Sequence, residues 1–81
     1  MKKKITVTQG DIERGIPCRS GECPVSVAMQ RAFKSYCKVG TDYALVFDRN
    51  KEVKHSAQVR NFIRRFDAGK KVKPFSFEVE L

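Results

Sequence analysis

The segment Phe75–Leu81 alternates between apolar and polar side chains without a break. Side chains of a β-strand point alternately to its two faces, so the segment predicts a strand with four apolar residues facing in and one serine and two glutamates facing out. Pro74 fits the start of this strand because it has no N–H to donate to a neighbouring strand. A strand with one apolar face needs a covering layer, and the chain offers two amphipathic segments for it.

The first amphipathic segment predicts a helix over about residues 24–36. Pro24 suits the first helical position, where its missing N–H costs nothing. The apolar side chains recur with i, i+3, i+4 and i+7 spacing, and they are Val25, Ala28, Met29, Ala32, Phe33 and Tyr36.

Two further helical segments are expected. Thr8 lies three residues before Asp11, as in a capping box, which predicts one helical turn that Gly15 closes in the left-handed conformation. Ser56 fits the N-cap of a second long helix, and Gly69 is a natural stop. The apolar stripe of that helix consists of Val59, Phe62, Ile63 and Phe66.

Shorter strands are predicted at Lys4–Thr8, Cys37–Val39, Tyr43–Phe47 and Glu52–Lys54. The run Tyr43–Phe47 is continuously apolar, which favours a strand covered on both faces. If one face is exposed instead, Tyr43, Leu45 and Phe47 become a stacking platform for single-stranded nucleic acid.

The order of these elements predicts a single small α+β domain over residues 1–81, with two main helices packed on a three- to five-stranded, mostly antiparallel sheet. The first and last strands are candidates for neighbours. No apolar run approaches the roughly 18–20 residues of a transmembrane helix, and the basic first residues are not followed by a signal-peptide core. We therefore expect a cytoplasmic protein without membrane contact.

Three stretches of the chain carry a family resemblance: ITVTQGDI with Gly15, CPVSVAMQRAF, and FIRRFDAGKKVKPFSFEVEL. Over most of its length the chain resembles a group of small uncharacterised proteins of phages and bacterial genomes. The resemblance implies one α+β domain of phage origin. It implies no activity and transfers no site residue.

Positive charge is concentrated in one part of the chain. The formal net charge is +8, and the segment Arg49–Lys73 contains nine basic and two acidic residues. Arg60 and Arg64 lie one helical turn apart with Arg65 beside them, and like charges at this spacing repel slightly. The fold gains nothing from this arrangement, which favours a role in binding. Near the end of the helix, where the dipole also favours cations, follow Lys70, Lys71 and Lys73.

The main functional hypothesis is a small basic binding protein, of phage type, that contacts nucleic-acid phosphates with little sequence specificity. Because no RNP, KH or zinc-finger pattern is present, binding is expected to depend on the phosphate backbone. The expected contact residues are Arg60, Arg64, Arg65, Lys70, Lys71 and Lys73, with Asn61, Gln58 and Ser56 as polar neighbours. The alternatives are a protein-interaction module, such as a phage-type factor that inhibits a host enzyme or defence complex, and a basic face that only keeps the protein soluble.

The three cysteines and the single histidine raise the question of metal binding and catalysis. Cys18, Cys23, Cys37 and His55 are the residue types of a Cys3His zinc site, but they lack the tight pairs that structural zinc usually takes. We expect no cofactor, reduced thiols with Cys37 buried, and His55 at the surface. Cys23 precedes a helix, whose dipole can lower a thiol pKa, but no base is placed beside it, so we predict no enzyme.

Two other charged groups have a structural and a functional interpretation. Lys2–Lys4 is interpreted as a frayed start that protects an edge strand, with a basic binding arm as the alternative. Glu78 and Glu80 lie about 7 Å apart on one face of the last strand. They are interpreted as its exposed face, paired with basic neighbours, rather than as an acid–base pair.

Overall fold

The fold is seen in a computed structural model, which describes residues 2–80. The α+β class is confirmed. No helix among these residues is both long and apolar enough to cross a membrane. In chain order the elements are β1 (Lys2–Val7), α1 (Gln9–Arg14), α2 (Pro24–Phe33), β2 (Cys37–Val39), β3 (Tyr43–Val46), a 3-10 turn (Phe47–Arg49), β4 (Lys51–Lys54), α3 (Ala57–Asp67) and β5 (Phe75–Glu80).

The strands form two antiparallel sheets. One pairs β1 with β5, and the other has the order β2-β3-β4. The predicted pairing of the first and last strands is therefore confirmed, while the expected single sheet is divided in two. Helix α2 packs on β1 and on β2, so it contacts both sheets.

The three lysines at positions 2–4 lie within β1, so the prediction of a frayed start or a free arm is wrong. Lys2 lies opposite Glu80 and Lys4 opposite Glu78 in the β1–β5 ladder. Opposite charges in directly opposed positions stabilise a strand pair, which accounts for the ordered start and for the two glutamates. Leu81, predicted as the last inward residue of this strand, lies outside the described residues.

Helix α2 ends one turn earlier than predicted. Lys34 adopts the left-handed conformation with φ 52°, and its N–H donates to the carbonyl of Gln30. Residues after a left-handed cap leave the helix axis, so Tyr36 does not join the apolar stripe and is 50% exposed.

The short helix α1 begins as predicted and ends differently. Thr8 and Asp11 form both bonds of a capping box, with Asp11 N–H donating to Thr8 Oγ1 at 3.1 Å and Thr8 N–H to Asp11 Oδ2 at 2.9 Å. Gly15, however, is extended (φ −68°, ψ 152°) rather than left-handed. A Cβ at Gly15 would lie 2.6 Å from Pro24 Cδ, so the glycine is needed for the close approach of the loop to α2.

The core is formed by α2, α3 and the inner faces of both sheets. Ile5, Val25, Met29 and Val46 have no exposed surface. Helix α3 is joined to β5 by aromatic packing, with the rings of Phe62 and Phe75 4.7 Å apart. This contact fixes the orientation of α3 and therefore of its basic side chains.

Candidate nucleic-acid interface

Helix α3 separates a buried apolar face from an exposed basic one. Ser56 caps the helix by accepting the N–H of Val59 at 3.5 Å, as predicted. The buried face carries Val59, Phe62 and Ile63. Asn61, Arg64 and Arg65 are therefore turned to the surface, where all three are exposed.

The three arginines of α3 do not form one patch. Arg60 is only partly exposed and donates through Nη1 to the carbonyl of His55 at 2.9 Å, at the end of β4. Arg65 lies about 140° further around the helix and donates through Nη2 to the carbonyl of Lys71 at 3.3 Å. Arg64 lies between them and makes no side-chain hydrogen bond or ion pair within residues 2–80.

The segment after α3 folds back along the helix and places its lysines beside Arg65. The turn is closed by the N–H of Lys70, which donates to the carbonyl of Arg65 at 2.9 Å. Gly69 has φ 76°, the left-handed conformation that favours glycine, so the predicted helix stop is confirmed. The four exposed cations gathered here, named the C-terminal basic cluster, are Arg65, Lys70, Lys71 and Lys73.

Two grooves lie on either side of this returning segment. The first, of about 310 Å³, is named the Arg65 groove and is lined by Gln58, Phe62, Arg65, Lys71, Val72, Lys73, Pro74 and Phe75. The second, of about 470 Å³, is named the Phe66 groove and includes Ile12, Pro17, Phe66, Val72 and the three lysines. Neither groove has an acidic side chain in its lining, so the lysines on their rims are not neutralised there.

The one acidic residue of α3 is engaged elsewhere. Asp67 Oδ1 accepts the backbone N–H of Cys18 at 2.9 Å, which fixes the 16–23 loop against the end of the helix. Cys18 has φ 60°, a strained conformation for a non-glycine residue. The Asp67 carboxylate therefore accepts a hydrogen bond from the loop and makes no ion pair with the arginines of α3.

The four candidate metal ligands have separate structural roles. Within residues 2–80 no group of three or more Cys, His, Asp or Glu side chains is arranged to hold a metal ion. All three cysteines are free thiols, with Cys18 exposed and Cys23 and Cys37 buried. The prediction of a buried Cys37 is thus confirmed.

Cys23 acts as the N-cap of α2 through its sulfur. Its Sγ accepts the N–H of Ser26 at 3.4 Å. Burial raises the pKa of this thiol, although the hydrogen bonds from the first turn act in the opposite direction. The protonated thiol predominates at neutral pH, which is unfavourable for a nucleophile.

His55 is buried, with 4% of its surface exposed, so its predicted surface position is wrong. Its backbone N–H donates to the carbonyl of Asp42 at 2.9 Å, which binds the end of β4 to the β2–β3 loop. Burial lowers the pKa of the imidazole. Its Nε2 has no hydrogen-bond partner among the described residues, so no cysteine thiol is hydrogen-bonded to it there as activation by a base would require.

The prediction that β3 is covered on both faces is wrong. Ala44 and Val46 have no exposed surface, whereas Tyr43 is 48% exposed. Phe47, in the turn that follows, is 55% exposed. The exposure of Tyr43 could not be predicted from the continuous apolar run, because such a run does not show whether a second layer covers the strand. The lysines at positions 38 and 54, on the strands that flank β3, are the sequence feature that indicates an exposed face.

Comparisons with protein-family models, with curated proteins and with solved structures find no match for this chain. Its function is therefore inferred from its own residues.

Proposed function

We propose that this protein binds nucleic acid through the phosphate backbone, with little sequence specificity, at the C-terminal basic cluster. The observation that carries the proposal is the convergence of Arg65, Lys71 and Lys73 on one groove whose lining holds no acidic residue. Like charges held together without a counter-charge repel each other, and phosphates would supply that counter-charge. The nucleic acid would also release condensed counterions, which favours binding.

The neighbouring residues extend this contact surface. Arg64 is exposed and unpaired within residues 2–80, and Asn61 lies exposed on the outer side of α3. Gln58 lines the Arg65 groove, and its side-chain amide can donate a hydrogen bond to a phosphate oxygen or a sugar oxygen. Arg60 contributes less because, unlike Arg65, it is only partly exposed, and its guanidinium donates to the His55 carbonyl at 2.9 Å.

The direct test is binding of labelled generic DNA and RNA at about 50 and about 200 mM salt. Four to six phosphate contacts on B-DNA predict an affinity loss of about 10²- to 10³-fold between these concentrations. Binding that does not depend on salt, or no binding at the lower concentration, would refute the proposal.

A protein partner is the second candidate, and the Phe66 groove favours it. The floor of this groove is apolar, with Ile12, Pro17, Phe66 and Val72 among its lining residues. Apolar clefts rimmed by cations are typical of sites for peptides with apolar and acidic side chains. In that case the protein acts as a phage-type interaction module on a host enzyme or defence complex. Purification after nuclease treatment would then retain one defined partner at constant stoichiometry, and the free protein would not bind nucleic acid.

A further inference from the structure

The outward face of the β2-β3-β4 sheet is named here the sheet face. Residues 43 and 45 point away from the core because their neighbours Ala44 and Val46 point into it. Tyr43 is half-exposed, and Leu45 is partly exposed. An aromatic side chain is therefore half-open to solvent beside an aliphatic side chain that is only partly covered.

Cations flank both apolar residues of the sheet face. Lys38 lies directly opposite Leu45 on β2, and Lys54 directly opposite Tyr43 on β4. Directly opposed residues of antiparallel strands share a face, so both lysines project beside the apolar side chains. Glu52, the other partner of Leu45, is the one acidic residue in these opposed positions. The face therefore combines an aromatic ring with a net positive charge.

Phe47 continues the apolar surface at the end of β3. Together with Leu45 it lines an open hollow of about 310 Å³, which Lys51 also borders. The ring of Tyr36 meets it edge to face at 5.1 Å and holds it in place. A fixed exposed ring loses little side-chain entropy on binding, which suits it to stacking.

The end of β4 is joined to α3 through Arg60. Lys54 immediately precedes His55, whose carbonyl holds the Arg60 guanidinium at 2.9 Å. Asp42, immediately before Tyr43, accepts the N–H of the same His55 at 2.9 Å. Arg60 therefore lies beside the end of β4, next to the lysine that faces Tyr43.

We infer that the sheet face binds single-stranded nucleic acid, with unpaired bases stacking on Tyr43 and Phe47 and phosphates contacting Lys38 and Lys54. This inference rests on the proposed function and names its substrate class. Exposed rings between cations fit the alternation of flat bases and phosphates along a single strand. Bases in a duplex are already stacked on one another and cannot reach these rings. A second copy of this chain fits less well, because its sheet face would carry the same net positive charge.

The tyrosines allow a direct measurement of stacking. The chain has no tryptophan and only two tyrosines, so the Tyr36→Phe variant has Tyr43 as its sole fluorescent reporter. Titration with an oligo(dT) strand of about 20 nucleotides should quench this emission in a saturable manner. The Tyr43→Phe variant reports the separate response of Tyr36, whose ring contacts Phe47, under the same conditions. Unchanged Tyr43 emission at saturating oligo(dT) would overturn the inference.

Affinities give an independent test. Tyr43→Ala should weaken oligo(dT) binding by roughly 5- to 150-fold, and Tyr43→Phe should restore it because the ring remains. Binding of a duplex of the same length should not change in either variant. Ile16→Ala is the matched control, because Ile16 is 44% exposed but lies in the loop before α2. Circular dichroism and a thermal melt establish that each variant is folded.

The outcomes separate this inference from the proposed function. If the wild-type protein binds both oligo(dT) and duplex with a salt-dependent affinity, the proposed function stands. Equal affinity of the wild-type protein and the Tyr43→Ala variant for oligo(dT) would then refute binding at the sheet face and leave the proposed function intact. If the wild-type protein binds neither probe at about 50 mM salt, both proposals fail together.

Discussion

Arg31 and Asp11 form a two-bonded ion pair that joins α2 to α1, with Nη1 donating to Oδ1 at 2.9 Å and Nη2 to Oδ2 at 2.8 Å. The Asp11 side chain has no exposed surface, whereas half of the Arg31 side chain is exposed. Arg31 also donates to the carbonyl of Thr6 at 2.9 Å. A single guanidinium therefore connects α2, α1 and β1.

Removal of this guanidinium should destabilise the fold. Arg31→Ala leaves a buried carboxylate with only its bond from Thr8, and we expect a loss of about 2 kcal/mol. The expected loss of stability is smaller than for a fully buried ion pair because Arg31 is half-exposed to solvent. Urea unfolding measures the change. Arg19→Ala, at an exposed loop position, is the control and should have a small effect. Equal stability of the two variants would contradict the role assigned to Arg31.

The same pair predicts how stability depends on acid pH. The hydrogen bonds from Arg31 lower the pKa of Asp11 from 3.8 to about 2. Since the pKa is lower in the folded state, the stabilisation is complete above pH 3.8 and is lost as the pH falls towards 2. The unfolding free energy should fall by about 2 kcal/mol over this range from Asp11 alone. Asp11→Asn, measured by urea unfolding at each pH, should show a correspondingly smaller fall.

Gly15 and Gly40 form a matched pair for testing close packing. A Cβ at Gly15 would lie 2.6 Å from Pro24 Cδ and 2.9 Å from the Asp11 carbonyl oxygen, whereas one at Gly40 meets only the Tyr43 carbonyl oxygen at 3.4 Å. Gly15→Ala should therefore cost about 1–3 kcal/mol through overpacking. Gly40→Ala should change stability by less than about 0.5 kcal/mol. Thermal and urea unfolding compare them, and the reverse order would refute the packing described for α1.

The three thiols should differ in their reactivity. Cys18 is exposed, whereas Cys23 and Cys37 are buried with their pKa values raised by burial. We expect a thiol-specific chromogenic disulfide to label one cysteine rapidly in the native protein and all three in denaturant. Cys18→Ser should abolish the rapid phase. A rapid phase that persists in this variant would show that the 16–23 loop is not packed as described.

The elements predicted correctly are those whose signal is local. Helix α3 and strand β5 each carry a long, regular apolar period, and the capping box of α1 lies within four residues. The predicted end of α2 is wrong because Lys34 adopts the left-handed conformation, which a sequence usually indicates by a glycine.

The features that were missed depend on contacts between distant residues. The bond from Cys18 to Asp67 spans 49 positions, and nothing in either segment indicates that Asp67 is engaged by the loop. The burial of His55 and the exposure of Tyr43 likewise depend on which layers cover β3 and β4. Arg64 and Arg65 are exposed, as expected from their positions outside the apolar stripe of α3, whereas Arg60 is only partly exposed. The placement of the lysines beside Arg65 depends on the path of residues 70–74.

Binding by two double variants of equal net charge tests the central claim most directly. Lys71→Gln with Lys73→Gln removes two cations from the Arg65 groove, whereas Lys2→Gln with Lys4→Gln removes two that lie opposite glutamates in the β1–β5 ladder. Between about 50 and 200 mM salt, log affinity decreases linearly with log salt. The steepness of this decrease should be smaller by about 2 for the first variant and unchanged for the second. Equal slopes in both variants, or a wild-type protein that binds no DNA at the lower salt, would contradict phosphate binding at the C-terminal basic cluster.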